Sequence, residues 1–129
     1  MGARSFEDLV AWQLSRQLHS EVVEFTANGA AARDFHYRDQ IRASSASAPA
    51  NIAEGFARFR PREFARFLEF AKASLAETRS HLIIGHDRGY LSEDHFSRLS
   101  NLARAAERAT TNLLRNRRQE AEASRGTWK

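Results

Sequence analysis

The segment from Gln40 to Gly55 constrains the fold most, because its small residues are interspersed with polar and apolar ones at helical spacing. It reads QIRASSASAPANIAEG. The polar residues recur every three or four positions and would share one stripe of a helix: Gln40, Ser44, Ser47, Asn51 and Glu54. A Ser/Ala/Pro-rich run can also be a flexible linker, but the apolar residues beside the stripe keep the same phase: Ile41, Ala48, Ile52 and Phe56. The pattern predicts a helix that a second helix approaches closely, with a polar seam inside the contact.

The chain as a whole divides into four stretches with helical periodicity and contains no pattern typical of a strand. The first is predicted from about Phe6 to Thr26, with Ser5 as its cap, and ends at Asn28 and Gly29. The second is predicted from about residue 34 to residue 56 and contains Pro49, which should kink or break it.

The third predicted helix begins at Pro61, a residue favoured at the first helical position, and closes at Gly89. Ser92 is the predicted cap of the fourth helix, whose apolar pattern ends near Leu114. Short loops between long helices favour antiparallel neighbours. We therefore predict an all-α protein, an antiparallel up-down-up-down four-helix bundle forming one domain over residues 1–114, followed by a frayed basic C-terminal tail over residues 115–129.

Composition excludes several classes of chemistry. The 129 residues are 42% hydrophobic, which suits one domain with a real core, and they include no cysteine, which excludes disulfides and thiol catalysis. No apolar run has the length of a membrane span, and MGARSFEDL lacks the apolar core of a signal peptide. We expect a cytoplasmic protein without membrane contact. The net charge of +4 is carried mainly by arginine, which suits phosphate contact but also arises from a GC-rich genome.

No catalytic, cofactor or metal motif is present in the sequence. Phosphate loops, nucleotide fingerprints and the Glu-x-x-His pairs of di-iron bundles are absent, and Glu77 with His81 is a lone pair. Glu54 and Glu77 are the acids expected to be buried, where they could perform acid-base catalysis. A structural polar seam between the second and third helices is the stronger interpretation, and its predicted members are Gln40, Ser47, Asn51, Glu54, Ser74 and Glu77. We expect no catalytic residue, no cofactor and no metal site.

Two clusters of arginine are candidate contacts for nucleic acid. One lies at the corner between the second and third helices and consists of Arg58, Arg60, Arg62 and Arg66. The other lies near the C-terminus and includes Arg104, Arg108, Arg115, Arg117 and Arg118. Arginines with an interleaved aromatic residue suit phosphate contact and base stacking, although both clusters could equally be solvated surface. Phe59 is expected to pack under the turn, or else to stack on a base.

The third helix carries more apolar surface than one core contact requires. Phe64 and Leu68 lie on one line of that helix, whereas Phe67 and Phe70 lie on another. Surplus aromatic surface of this extent usually marks an interface. Phe67 and Phe70 are therefore the predicted contact in a homo-oligomer.

Three motifs together resemble one known family. FEDLVAW, then QIRASSASAPANIAEG, then EFARFLEFAKASLAETRSHLIIGHDRGYL occur in order at suitable spacing. They are similar to the four-helix-bundle family named for proteins encoded in intervening sequences of 23S rRNA genes, and the resemblance covers roughly residues 6–114. It implies a homo-oligomeric bundle, with five copies as the expected number. It also implies kinship with the accessory variability determinant proteins of diversity-generating retroelements, which bind a reverse transcriptase and nucleic acid.

The function expected from these observations is non-enzymatic binding by a homo-oligomer. Its partner would be RNA or DNA, or a protein that processes nucleic acid, contacted through the arginine clusters. The alternatives are a scaffold that binds protein only and, more remotely, an enzyme that uses Glu54 and Glu77.

Overall fold

The structure, a computed structural model, is helical throughout the part of the chain that it describes. It describes residues 2–126, with the backbone alone at 125 and 126, and none of these residues lies in a strand. A short 3-10 turn, Phe6–Asp8, precedes five α-helices in the described range: α1 (Val10–Phe25), α2 (Gly29–Arg33), α3 (Phe35–Arg58), α4 (Pro61–Asp87) and α5 (Glu93–Gly126).

The first helix begins four residues later than predicted. The Asp8 carboxylate turns back and accepts hydrogen bonds from the backbone N–H groups of Arg4 and Ser5, at 3.0 and 3.3 Å. Leu9 is then extended, with φ −78° and ψ 126°, so the α-helix proper begins at Val10. Helix α2 was not predicted, because five residues in the sequence GAAAR are too few to show an apolar period.

Helix α3 passes through Pro49 without a break. The missing N–H of Pro49 removes one hydrogen bond, yet the helix continues from Phe35 to Arg58. Of the two predicted outcomes, a kink or a break, the break does not occur. Buried residues on both sides of it, including Ser45, Ala48 and Ile52, hold this helix against its neighbours.

Helix α5 continues to Gly126, so the prediction of a frayed tail is wrong for residues 115–126; residues 127–129 of that tail lie outside the described part of the chain. The first turns of α4 provide a packing surface for this extension. Leu114 is buried there, the Arg118 guanidinium pairs with the Glu69 carboxylate of α4 at 2.8 Å, and the Arg117 guanidinium lies 5.8 Å from the ring centre of Phe64.

Each of the four long helices packs against two others, in the pairs α1–α3, α3–α4, α4–α5 and α1–α5. Helices α3 and α4 run in opposite directions, because Ser44 contacts Thr78 whereas Ser47, further along α3, contacts Ser74. The line of α4 that begins with Phe64 and Leu68 is buried along the helix and continues through Ala71, Leu75, Thr78 and Leu82.

Candidate functional site

The turn between α3 and α4 holds an aromatic side chain in solvent. Its two residues are Phe59 and Arg60, and Phe59 has φ +73°, a left-handed conformation that bulky residues rarely adopt. The N–H of Phe59 donates to the Phe56 carbonyl at 3.2 Å, and that of Arg60 donates to the Arg58 carbonyl at 2.9 Å. The Phe59 side chain is 89% exposed, so the expectation that it packs under the turn is wrong.

Four exposed arginines surround this phenylalanine. We call Arg58, Phe59, Arg60, Arg62 and Arg66 the basic corner. Arg58 pairs with Glu54 at 3.1 Å, and its guanidinium lies 5.2 Å from the Phe67 ring centre. Arg60, Arg62 and Arg66 form no ion pair with any residue between 2 and 126. Three positive charges therefore remain available to an external anion.

One arginine of the C-terminal cluster joins the basic corner through the helical extension of α5. Arg118, with Arg62 and Arg66, lines a groove of about 500 Å³ between α4 and α5. Two acids, Glu69 and Glu122, line the same groove and reduce its positive charge. This proximity was not predicted from the sequence, because the segment after Leu114 was expected to be frayed.

The predicted polar seam is only partly brought together. Ser74 Oγ donates to Ser47 Oγ at 2.9 Å, and Asn51 Nδ2 donates to the hydroxyl and the carbonyl of Ser47, both at 2.9 Å. These three residues are half-buried at the edge of the α3–α4 contact. The fully enclosed hydroxyl pair is instead Ser44 with Thr78, whose oxygens are 2.8 Å apart.

Gln40, Glu54 and Glu77 are not part of this seam. Gln40 is exposed, and the side chains of Glu54 and Glu77 are 50% and 54% exposed. Glu54 binds Arg58, whereas Glu77 contacts its own helix neighbour His81 at 3.3 Å. The prediction that the two acids are buried is wrong. The acid-base catalysis considered for them depended on that burial.

Phe67 and Phe70 form an aromatic pair beside the basic corner. Their rings meet edge to face, with centres 5.7 Å apart at 90°. Phe67 is half-buried and Phe70 is 43% exposed, and the Arg66 guanidinium lies 5.7 Å from the Phe70 ring centre. Their role as an oligomer contact stays a prediction.

A second polar cluster, not predicted from the sequence, lies at the opposite end of the helices. The Asp34 carboxylate accepts from the N–H of Tyr37, the Tyr90 hydroxyl and the Arg88 guanidinium. The Tyr90 hydrogen bond is the main cause that lowers the pKa of Asp34, and the same bond raises the pKa of Tyr90. Burial raises the pKa of Tyr37, whose hydroxyl donates to the His81 carbonyl at 2.6 Å. These groups satisfy one another, which indicates a structural role. An aspartate just before a helix was the available signal.

Neither a group of possible metal ligands nor a membrane-spanning helix occurs in the described part of the chain. Between residues 2 and 126, no three His, Asp or Glu side chains are grouped so that they could hold a metal ion. Within the same range, none of the helices combines the length and the apolar character needed to cross a membrane.

A comparison with protein-family models places the chain in a family. The family model described as 23S rRNA-intervening sequence protein matches residues 7–112. The chain belongs to this family. The match confirms the resemblance carried by the three motifs, and it includes the whole basic corner and the seam, whereas Arg117 and Arg118 lie beyond it. The family is small and uncharacterised. A search of curated proteins returned no match.

Proposed function

We propose that this member of the family is a non-enzymatic, homo-oligomeric protein that binds single-stranded nucleic acid at its basic corner. Its four long helices would form the antiparallel up-down-up-down bundle expected from the sequence. The observation that carries the proposal is the exposure of Phe59, in a strained backbone conformation, beside Arg60 and Arg62, which have no acidic partner among the described residues.

An exposed aromatic ring in a strained turn suits contact with a ligand. Residues in sparsely populated backbone regions cost about 1–3 kcal/mol and cluster at functional sites. Burial of the ring would have offset that cost, but Phe59 is in solvent. A ring presented between cationic side chains can stack on a base while the arginines contact the flanking phosphates.

Oligomerisation would strengthen this contact. One corner with three unpaired arginines binds weakly, but several copies in one assembly act on the same strand without any new type of contact. The aromatic pair Phe67 and Phe70 lies next to the basic corner, so an interface there would bring corners of adjacent copies close to each other. The family resemblance favours five copies.

Binding of a fluorescein-labelled single-stranded RNA or DNA tests the nucleic-acid proposal. We expect fluorescence anisotropy to show low sequence specificity and an affinity that falls steeply as salt increases, with a slope of about −0.7 per phosphate contacted. The double variant Arg60→Glu/Arg62→Glu should bind at least about tenfold more weakly, since it reverses two of the three unpaired charges.

The matched control is Arg104→Glu/Arg108→Glu, which changes the net charge equally at two exposed positions of α5. It should retain binding within about threefold, because the general field of the protein contributes less than direct phosphate contact. Equal losses in the two double variants would show that only the net charge matters. The absence of binding to either nucleic acid would leave a protein-binding scaffold as the better function.

The mass of the particle in solution tests the assembly. Light scattering should return a multiple of the 14.7 kDa chain mass, with five copies as the expected number. Phe70→Glu should reduce that mass, because it places a charge in the proposed apolar contact. Phe35→Glu is the matched control, since Phe35 is an exposed phenylalanine at the other end of α3. A monomer mass for the parent protein at micromolar concentration would contradict the proposal.

A further inference from the structure

A pocket opens directly behind Phe59. It has a volume of about 380 Å³ and lies between the end of α3, the start of α4, the C-terminal part of α5 and the residues before α1. Its apolar lining includes Leu9, Phe56, Phe59, Phe64 and Leu113, and its charged lining consists of Arg117 and Glu120. Its volume is near the lower end of the range of about 300–1,000 Å³ that small-molecule pockets occupy.

The inner wall of the pocket is apolar and fixed by packing. Phe56 and Phe64 meet edge to face, with ring centres 6.0 Å apart at 86°, and Phe64 is buried in the core. Leu9 and Leu113 are half-buried and pack against the same core cluster. Phe59 forms the rim of the pocket. Its backbone conformation is set by the turn, whereas its ring is in solvent. A planar apolar group could therefore enter between a rigid wall and an exposed ring.

Arg117 and Glu120 form the polar side of this pocket. One terminal nitrogen of Arg117 pairs with Glu120 at 2.6 Å, and the guanidinium lies 5.8 Å from the Phe64 ring centre. The Nε atom is inaccessible to solvent and therefore to a ligand as well. The second terminal nitrogen carries two N–H groups that can donate to a ligand acceptor in the pocket.

The geometry points to a pocket for one unstacked nucleobase of the strand bound at the basic corner. The base would stack on Phe59 against the phenylalanine wall, and a carbonyl or ring nitrogen of the base would accept from Arg117. The unpaired Arg60 and Arg62 lie on the same turn and the start of α4, where they can contact the phosphates of the same strand. This inference rests on the proposed function. The basic surroundings favour a base over a purely apolar ligand, because the base brings its own phosphate.

A DNA strand without bases distinguishes the contribution of the pocket to binding from that of the basic corner. The probes are a fluorescein-labelled oligothymidylate of about ten nucleotides and the abasic strand of equal length. The parent protein should bind the oligothymidylate about tenfold more tightly, since stacking of a base on an aromatic side chain has an effect of this order. A central 2-aminopurine should lose fluorescence on binding, which reports stacking directly.

Two pocket variants should remove this preference. Phe59→Asn deletes the ring and keeps a residue that tolerates the left-handed turn, and Arg117→Met deletes the donor but keeps the apolar stem. Each should weaken oligothymidylate binding about fivefold or more, to near the affinity for the abasic strand. Arg118→Met is the matched control, because it removes the same charge one residue further on, from the outer groove.

The outcomes distinguish this inference from the function on which it rests. If the parent bound both strands equally, or if Arg118→Met lost as much base preference as Arg117→Met, the pocket would not hold a base, although the basic corner could still bind phosphates. If the parent bound neither strand, the nucleic-acid function itself would fail, and Phe59 with its pocket would be assigned to a protein contact.

Discussion

Replacing Gly85 by alanine is expected to destabilise the protein by about 3 kcal/mol, at the upper end of the usual cost of overpacking. A Cβ atom at this position would lie 2.1 Å from the Tyr37 hydroxyl oxygen and 2.9 Å from its Cζ atom. Tyr37 is buried and its hydroxyl is held by the His81 carbonyl, so the ring cannot simply swing away. The helical preference of alanine over glycine, about 1 kcal/mol, is too small to offset this clash. Urea denaturation followed by circular dichroism, at a fixed protein concentration, measures the effect.

Tyr37→Phe provides the control for this clash. Alone, it removes the hydrogen bond to the His81 carbonyl and should cost about 1 kcal/mol. Combined with Gly85→Ala, it removes the atom nearest to the new methyl group, so the double variant should be more stable than the sum of the two single effects predicts. Strictly additive losses would show that Tyr37 does not prevent a side chain at position 85.

Gly55→Ala is expected to cost about 2 kcal/mol by forcing α3 and α4 apart. The new Cβ would lie 2.8 Å from Phe64 Cδ1 and 2.8 Å from Phe67 Cβ. The Phe67 Cβ atom is bonded to the α4 backbone, so it can move only if the helix moves. Ala57→Ser is the matched control: it adds one atom at an exposed position two residues further along α3 and should change the free energy of unfolding by less than about 0.5 kcal/mol.

Gly55→Ala should also weaken nucleic-acid binding, because Gly55 lies one turn before the basic corner. A separation of α3 and α4 would displace Phe59 and the wall formed by Phe64, and we expect weaker oligonucleotide binding at a temperature where the variant remains folded. A Gly55→Ala variant with parental stability would show that the two helices are not in close contact at this position.

The sequence by itself determined the helical class, most helix positions and the close approach of α3 to α4. Pro61 begins α4 as predicted, and the apolar period of that helix identifies its buried residues. The small residues of α3 do allow close contact, as the hydroxyl pair Ser44–Thr78 and the neighbours of Gly55 show. These features are accessible from sequence because helical periodicity and capping depend on residues only a few positions apart.

The tertiary structure alone decided which part of each predicted stripe is buried. Spacing shows that residues share a helix face, but not how that face is rotated toward its neighbour, and one position corresponds to about 100° of rotation. The contact of α3 is centred on Ser44, Ala48, Ile52 and Gly55, so the adjacent Glu54 faces solvent and pairs with Arg58. Because of that rotation, Glu54 belongs to the predicted stripe but is not buried.

The candidate site shows the same division. The arginines of the basic corner are neighbours in the sequence and could be predicted, whereas the exposure of Phe59 depends on the left-handed backbone of a single residue. Arg117 reaches the pocket only because α4 extends far enough to support α5 beyond Leu114. Local spacing cannot predict such positions, since they depend on contacts between residues that are distant in the chain and are fixed only when the helices pack.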